Sequence, residues 1–177
     1  MKDTREVTKD AAAEAAAQLG GRNAEGVSGM AKRTFTGNMQ IKDVLGLSDE
    51  MVEGIYGQAY LLYNTGKYRD ASEVFRLLIM MKSTEPKFMM GLAACYHMLK
   101  EYDPAASTYI LCSVLDPTSP LPQFHASDCY IQMGDKASAI VALEMAIKRA
   151  ETKPEYQVLK ERAAITLEGL KKELARP

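Results

Sequence analysis

The stretch YGQAYLLYNTGKYRDASEVFRLL, residues 56–78, decides the fold of this 177-residue chain, because its pattern returns twice further along the sequence. The copies follow one another at a constant step of about 34 residues, which is the separation of Gly66 and Lys100. Each copy has a small residue in its first half, then a turn, an alanine and a large apolar residue, and a proline follows it. The turn position holds Gly66, Lys100 and Gly134, and the alanine position holds Ala71, Ala105 and Ala139. The large apolar position holds Phe75, Tyr109 and Leu143, and the proline position holds Pro86, Pro120 and Pro154. Helical spacing on both sides of each turn predicts an all-α protein with three pairs of helices.

A step of about 34 residues with this pattern is typical of tetratricopeptide helix-turn-helix repeats. We therefore expect an all-α solenoid of three such repeats over residues 52–153. Gly66 and Gly134 suit the left-handed conformation that often ends a helix. Solenoids of this kind expose long surfaces that bind other polypeptides, so the fold favours a binding function over a catalytic one.

The segments that flank the repeats have different patterns. Residues 1–37 contain the run AAAEAAA followed by two adjacent glycines, which predicts a flexible or partly helical N-terminal extension. Residues 38–51 predict a short helix before the repeats, with the apolar side chains Met39, Ile41, Val44, Leu45 and Leu47. Residues 154–177 predict a C-terminal capping helix whose apolar stripe covers the last repeat; the stripe is Tyr156, Leu159, Ala163, Leu167, Leu170 and Leu174.

Composition and charge exclude several classes of partner. The formal net charge is −1 and no basic stripe is present, which argues against nucleic acid. No apolar run approaches the ~20 residues of a membrane span, so we expect no stable membrane insertion. The N-terminus MKDTREVTKD carries charges of both signs and does not resemble a secretory signal, which favours an intracellular location.

Nothing in the sequence suggests catalysis or a cofactor. The three cysteines, Cys95, Cys112 and Cys129, fall at inward positions of the repeats and are expected to be buried free thiols. The two histidines, His97 and His125, are not at ligand spacing with any cysteine pair, so we expect no metal and no cofactor. Phosphate-loop, HExxH, GxSxG and CxxC motifs are absent, and we expect no catalytic residues and no enzymatic activity.

The first helix of each repeat is expected to line a concave groove, and the helical register predicts which side chains face it. They are Tyr56, Tyr60, Tyr63 and Asn64 in the first repeat, Met90, Ala94, His97 and Met98 in the second, and Leu121, Phe124, Asp128 and Ile131 in the third. Core packing is the alternative for the tyrosines, but Ile55, Ala59 and Leu62 already occupy the opposite face of that helix. Aromatic and methionine side chains in a row suit an extended peptide with apolar side chains, so we interpret this set as a peptide-binding site. We accordingly expect alanine at Tyr56 and Tyr60 to weaken binding and to leave melting nearly unchanged.

Residues 38–172 resemble the class II chaperones of bacterial type III secretion systems, the translocator chaperones. The resemblance rests on residues 56–78 and on three further stretches. These are KFMMGLAACYHMLKEYDPAASTY (87–109), PLPQFHASDCYIQMGDKASAIVALEMA (120–146) with its unusual P-x-FHA-x-x-C run, and KPEYQVLKERAAITLEGLKK (153–172).

The resemblance implies a cytoplasmic bacterial chaperone that binds hydrophobic, pore-forming translocators and keeps them soluble and competent for secretion. In this family the concave groove binds a short extended segment near the N-terminus of the client. Tyr56, Tyr60 and Tyr63 match the aromatic pocket residues of the family. It also implies a gatekeeper or another secretion component as a further partner, and a homodimer through Met39–Leu47. A generic tetratricopeptide adaptor is the alternative; its carboxylate-clamp form is disfavoured because the clamp cations are absent from the groove positions.

Overall fold

A computed structural model describes residues 40–175 of the chain. The extension predicted for residues 1–37, and Met39 of the predicted dimer segment, lie outside the described residues. The described chain is helical and contains no strand, which confirms the predicted all-α class. Its helices are α1 (Ile41–Val44), α2 (Asp49–Asn64), α3 (Tyr68–Met81), α4 (Pro86–Met98), α5 (Tyr102–Leu115), α6 (Leu121–Gln132), α7 (Lys136–Ala150) and α8 (Gln157–Leu174), with a 3-10 turn (Pro154–Tyr156) before α8.

The described residues divide into two units, residues 40–49 and residues 50–175. In the first unit α1 is a single turn, held by Gln40, whose backbone N–H donates to the Asp43 carboxylate at 3.0 Å. Lys42 and Asp49 form an ion pair at 2.9 Å in the same unit. The second unit contains the repeats, and all of the predicted groove residues fall in it.

Consecutive helices of the second unit pack against one another from α3 to α8. Small residues at the crossings let the helix axes approach closely, because an alanine side chain adds little bulk between them. Buried Ala93, Ala105 and Ala126 join Tyr109 and Cys129 in one cluster between α4, α5 and α6. The core therefore follows the positions that recur from repeat to repeat.

The three cysteines are buried and free, as the sequence predicts. Burial raises the pKa of the Cys95 thiol to about 12 and the pKa values of Cys112 and Cys129 to about 11. All three are therefore neutral thiols near pH 7, and they contribute apolar packing to the core.

Helix α8 covers the last repeat. Ala163 and Leu170 pack with Ala139 and Leu143 of α7 in one buried cluster, and Leu167 lies against it. The predicted stripe is wrong at Leu174, which is 57% exposed. Glu173 forms an ion pair with Lys136, the first residue of α7, so this end of α8 lies beside the beginning of α7. Helix α7 therefore has no residue beyond that level that could cover Leu174.

The turn between α4 and α5 departs from the other two. Gly66 and Gly134 have φ values of +78° and +77°, and Lys100, at the equivalent position, has +62°. A left-handed backbone costs a residue with a side chain about 1–2 kcal/mol, and glycine avoids this cost but loses more entropy on folding. We expect Lys100→Gly to raise the free energy of unfolding by about 0.5–1 kcal/mol, measured by urea denaturation. Glu101→Gly is the control, because φ is −84° there and glycine should only destabilise.

Candidate functional site

Five of the predicted groove residues meet around one open cavity between α2, α3 and α4. The cavity has a volume of about 220 Å³, and its lining consists of Tyr56, Tyr60, Tyr63, Phe75, Lys87, Met90, Gly91 and Ala94. The tyrosines come from α2, and Met90 and Ala94 come from the next repeat. This aromatic cavity therefore lies between two repeats, and both contribute side chains to it.

The three tyrosines have different environments within this cavity. Tyr56 is half-buried, with its ring centre 6.1 Å from that of Phe75 and 5.6 Å from that of Phe88. Tyr60 is 54% exposed and lies 6.4 Å from Tyr56. Tyr63 packs edge-on against Tyr68 at 5.3 Å. Burial raises the pKa of Tyr63 above its ordinary value, and the hydroxyl, which is protonated near pH 7 in any case, can donate a hydrogen bond.

Sequence reasoning missed three members of the lining, Phe75, Lys87 and Gly91. Lys87 could have been found, because it lies one repeat before the predicted Leu121 and so occupies the same repeat position. Phe75 falls at the large apolar position of the repeat pattern, and that position by itself does not indicate a cavity wall. A side chain at Gly91 would overlap the Phe75 ring, so this glycine lets Phe75 reach the cavity. That requirement arises from the approach of α3 to α4 and has no sequence signal.

Two other predicted groove residues, His97 of α4 and Asp128 of α6, lie in contact with each other. The His97 Nε2 atom lies 3.2 Å from Asp128 Oδ2. The His97 ring also packs edge-on against Tyr102 at 5.8 Å and against Tyr109 at 6.2 Å. The two predicted residues are thus brought together between the second and third repeats.

The remaining predicted groove residues do not line the aromatic cavity. Phe124 and Ile131 pack against the buried cluster between α7 and α8, and the Arg162 guanidinium lies 5.6 Å from the Phe124 ring centre. Asn64 and Met98 are the exposed last residues of α2 and α4 and do not line the aromatic cavity.

Leu121 lines a second cavity, which is adjacent to the first. It has a volume of about 160 Å³ and is lined by Pro86, Lys87, Met90, Cys112, Asp116, Ser119, Leu121 and Pro122. Lys87 and Met90 line both cavities, so the two openings share a wall on α4.

His125 packs within the fold against two aromatic rings. Its ring stacks on that of buried Tyr109 at 5.4 Å and packs edge-on against Phe124 at 5.8 Å. Burial lowers the pKa of His125, and the nearby charges of His97 and Arg162 lower it further, while Asp128 opposes the shift. The imidazole is therefore held neutral within the fold.

This lowered pKa predicts how stability depends on pH. The unfolded chain binds a proton at His125 near pH 6.5, whereas the folded chain binds it only at lower pH. The contribution of His125 is therefore complete above pH 6.5 and is lost as the pH falls toward the folded pKa. Urea denaturation between pH 7.5 and 5.5, in a His97→Gln background that removes the other histidine, should show this loss. An additional His125→Phe substitution should reduce it, and an equal pH dependence with and without His125 would contradict the assignment.

Residues 40–175 contain no group of three or more His, Cys, Asp and Glu side chains that could hold a metal ion. Within the same residues, no helix has both the length and the apolar character that crossing a membrane requires.

Comparison with known proteins gives concordant matches. Tetratricopeptide repeat models match residues 52–83, 86–117 and 123–151. The chain is 35% identical over 125 residues to Low calcium response locus protein H of Yersinia pseudotuberculosis, covering 71% of this chain and 74% of that protein.

Solved structures agree with the sequence matches. The type III secretion translocator chaperone SycD of Yersinia enterocolitica superposes with a TM-score of 0.70 at 33% identity, covering 73% of this chain and 90% of SycD. SycD in complex with a peptide of the translocator YopD gives a TM-score of 0.69 at 34% identity, with coverages of 71% and 96%.

Proposed function

Because this chain belongs to the tetratricopeptide-repeat translocator chaperones of type III secretion systems, we propose that its aromatic cavity holds an extended segment of a hydrophobic translocator. The observation that carries the proposal is the convergence of Tyr56, Tyr60, Tyr63, Met90 and Ala94 on one open cavity.

The chemistry of the cavity suits an apolar side chain from an extended peptide. Tyrosine and methionine side chains provide large apolar contact area, and the tyrosine hydroxyls can donate to the peptide backbone. A volume of about 220 Å³ between the two helix pairs leaves space for a client side chain. Contacts of this kind offset the entropy that a disordered client segment loses on binding.

The proposal extends to the whole peptide-binding set and to the setting of the protein. His97 and Asp128 would contact the client beyond the aromatic cavity, and Leu121 would do so through the second cavity. We further propose that the chaperone works in the bacterial cytoplasm, by binding without turnover, with residues 52–153 as its three repeats and residues 154–177 as the cap. A gatekeeper or another secretion component as a second partner, and a homodimer through the segment around α1, belong to the same proposal.

A generic adaptor of the carboxylate-clamp type is less well supported. That mode needs cationic and amide side chains at the groove positions of the first and third repeats. Tyr56, Tyr60, Leu121 and His125 stand there instead, and the cavity that the two tyrosines help to form has mainly apolar walls.

The experiment that tests the proposal is co-expression of this chain with each translocator of its own genome, followed by affinity capture and gel filtration. We expect a soluble, stoichiometric complex with a translocator that is insoluble when it is expressed alone. Translocators that stay insoluble and uncaptured would contradict the proposed function and leave the fold unaffected.

A further inference from the structure

Lys87 occupies a distinctive place on α4, because its side chain lines both the aromatic cavity and the second cavity. An extended peptide that places apolar side chains in the two cavities must therefore pass over Lys87 and Met90. The residue of the peptide that lies between those two side chains would face this shared wall.

The ammonium group of Lys87 has mostly aromatic surroundings. Its Nζ atom lies 4.8 Å from the centre of the Tyr56 ring and 5.5 Å from that of Phe88. Both positions favour a cation, because the face of an aromatic ring is electron-rich. Tyr56 and Phe88 therefore hold the positive charge at the edge of the groove.

The anionic partner of Lys87 can be exchanged. Lys87 pairs with Glu53, which lies one repeat earlier on α2, and the side chain of Glu53 is 54% exposed. An ion pair that is open to water contributes little to stability. A carboxylate of a bound client can thus replace Glu53 at the ammonium group at small cost.

Asp116 does not compete with a client carboxylate for the ammonium group of Lys87. Of the described residues that line the two cavities, Lys87 and Asp116 carry charge. The Oδ1 atom of Asp116 accepts hydrogen bonds from the backbone and hydroxyl of Thr118 at 3.0 and 2.8 Å and from the backbone of Ser119 at 3.2 Å. These bonds lower the pKa of the Asp116 carboxyl and hold it in the turn before α6.

We propose that Lys87 determines client specificity by binding an acidic side chain that lies between two apolar side chains of the client segment. The inference rests on the proposed function and names the chemistry of the segment. The two apolar side chains enter the two cavities, and the carboxylate between them displaces Glu53 from Lys87.

The test uses the full chain and a synthetic library of fluorescent decapeptides. Each peptide carries two leucines separated by a short spacer of varied length, with Asp, Asn or Lys at each intervening position. We expect the Asp peptide to bind about tenfold more tightly than the Asn peptide at one position, and the Lys peptide to bind most weakly. Fluorescence anisotropy measures each Kd, and added salt should reduce the preference for Asp.

Three variants separate this role from general electrostatics. Lys87→Gln should abolish the difference in Kd between the Asp and Asn peptides, and the readout is the ratio of the two Kd values, because Lys87 itself lines both cavities. Glu53→Gln should tighten the Asp peptide about threefold, because the internal competitor is removed. Lys172→Gln, an exposed lysine of α8, is the control and should retain the difference. If Lys87→Gln does not fold, Lys87→Arg is used in its place and should keep the preference for Asp, because the cation remains.

The outcomes distinguish the inference from the function on which it rests. Equal binding of Asp and Asn peptides by the native chain, or a preference that persists in Lys87→Gln or is lost in Lys87→Arg, would overturn the role of Lys87 and leave the groove standing. Failure of every library peptide to bind, together with failure to capture a translocator, would overturn both.

Discussion

Gly91→Ala is expected to destabilise the protein by about 1–3 kcal/mol, although alanine normally stabilises the interior of a helix relative to glycine. A Cβ atom at this position would overlap the ring of Phe75, which is buried and has packed neighbours around it. The ring must then move, and it is part of the wall of the aromatic cavity. Urea denaturation should therefore show a lower midpoint, and capture of the translocator should decrease as well.

The chain contains a matched control for this substitution. Gly57 lies one repeat earlier, at the same repeat position on α2, and a Cβ atom there would meet no atom within 4 Å. Gly57→Ala should consequently stabilise the protein by about 0.5–1 kcal/mol, so the same change has opposite signs in adjacent repeats. Phe75→Leu combined with Gly91→Ala should recover part of the loss, because the smaller side chain gives way to the new methyl group. Equal effects at the two glycines would contradict the close approach of α3 and α4.

Tyr60→Ala is expected to weaken binding of the captured translocator about 30-fold, which corresponds to about 2 kcal/mol for an aromatic residue at the centre of an interface. Tyr60 is half exposed and lies at the open side of the cavity, so the free energy of unfolding should change by less than about 0.5 kcal/mol. Affinity capture and thermal melting, measured on the same preparations, give the two quantities.

Tyr56→Ala is the comparison, and the structure revises the expectation from the sequence that it leaves melting unchanged. The Tyr56 ring packs against Phe75 and Phe88 and lies under the Lys87 ammonium group. Its loss should reduce both binding and the free energy of unfolding, the latter by about 1–3 kcal/mol. Tyr56→Phe should restore stability, because the ring contacts remain. A Tyr60→Ala variant that melts as early as Tyr56→Ala would show that Tyr60 also supports the core.

The architecture could be predicted from the sequence because it depends on local patterns that repeat. The constant repeat step, the glycines at Gly66 and Gly134 and the small residues at Ala59 and Ala93 act within one helix pair or between neighbours. Helical register then places Tyr56, Tyr60 and Tyr63 on one side of α2, and the structure gathers these side chains around one cavity. A regular repeat therefore carries information about the fold and about which side chains share a helix face.

The tertiary structure decided which side chains share a site and which of them support the core. Sequence register treats Tyr56 and Tyr60 alike, but only their distances to Phe75 and Phe88 show that Tyr56 is part of the packing. It likewise gives no sign that Gly91 faces Phe75 or that Lys87 lies between two cavities. The physical reason is that these relations depend on the separation and crossing of helices from different repeats, which side-chain volumes across the whole interface set together and which a periodic pattern does not specify.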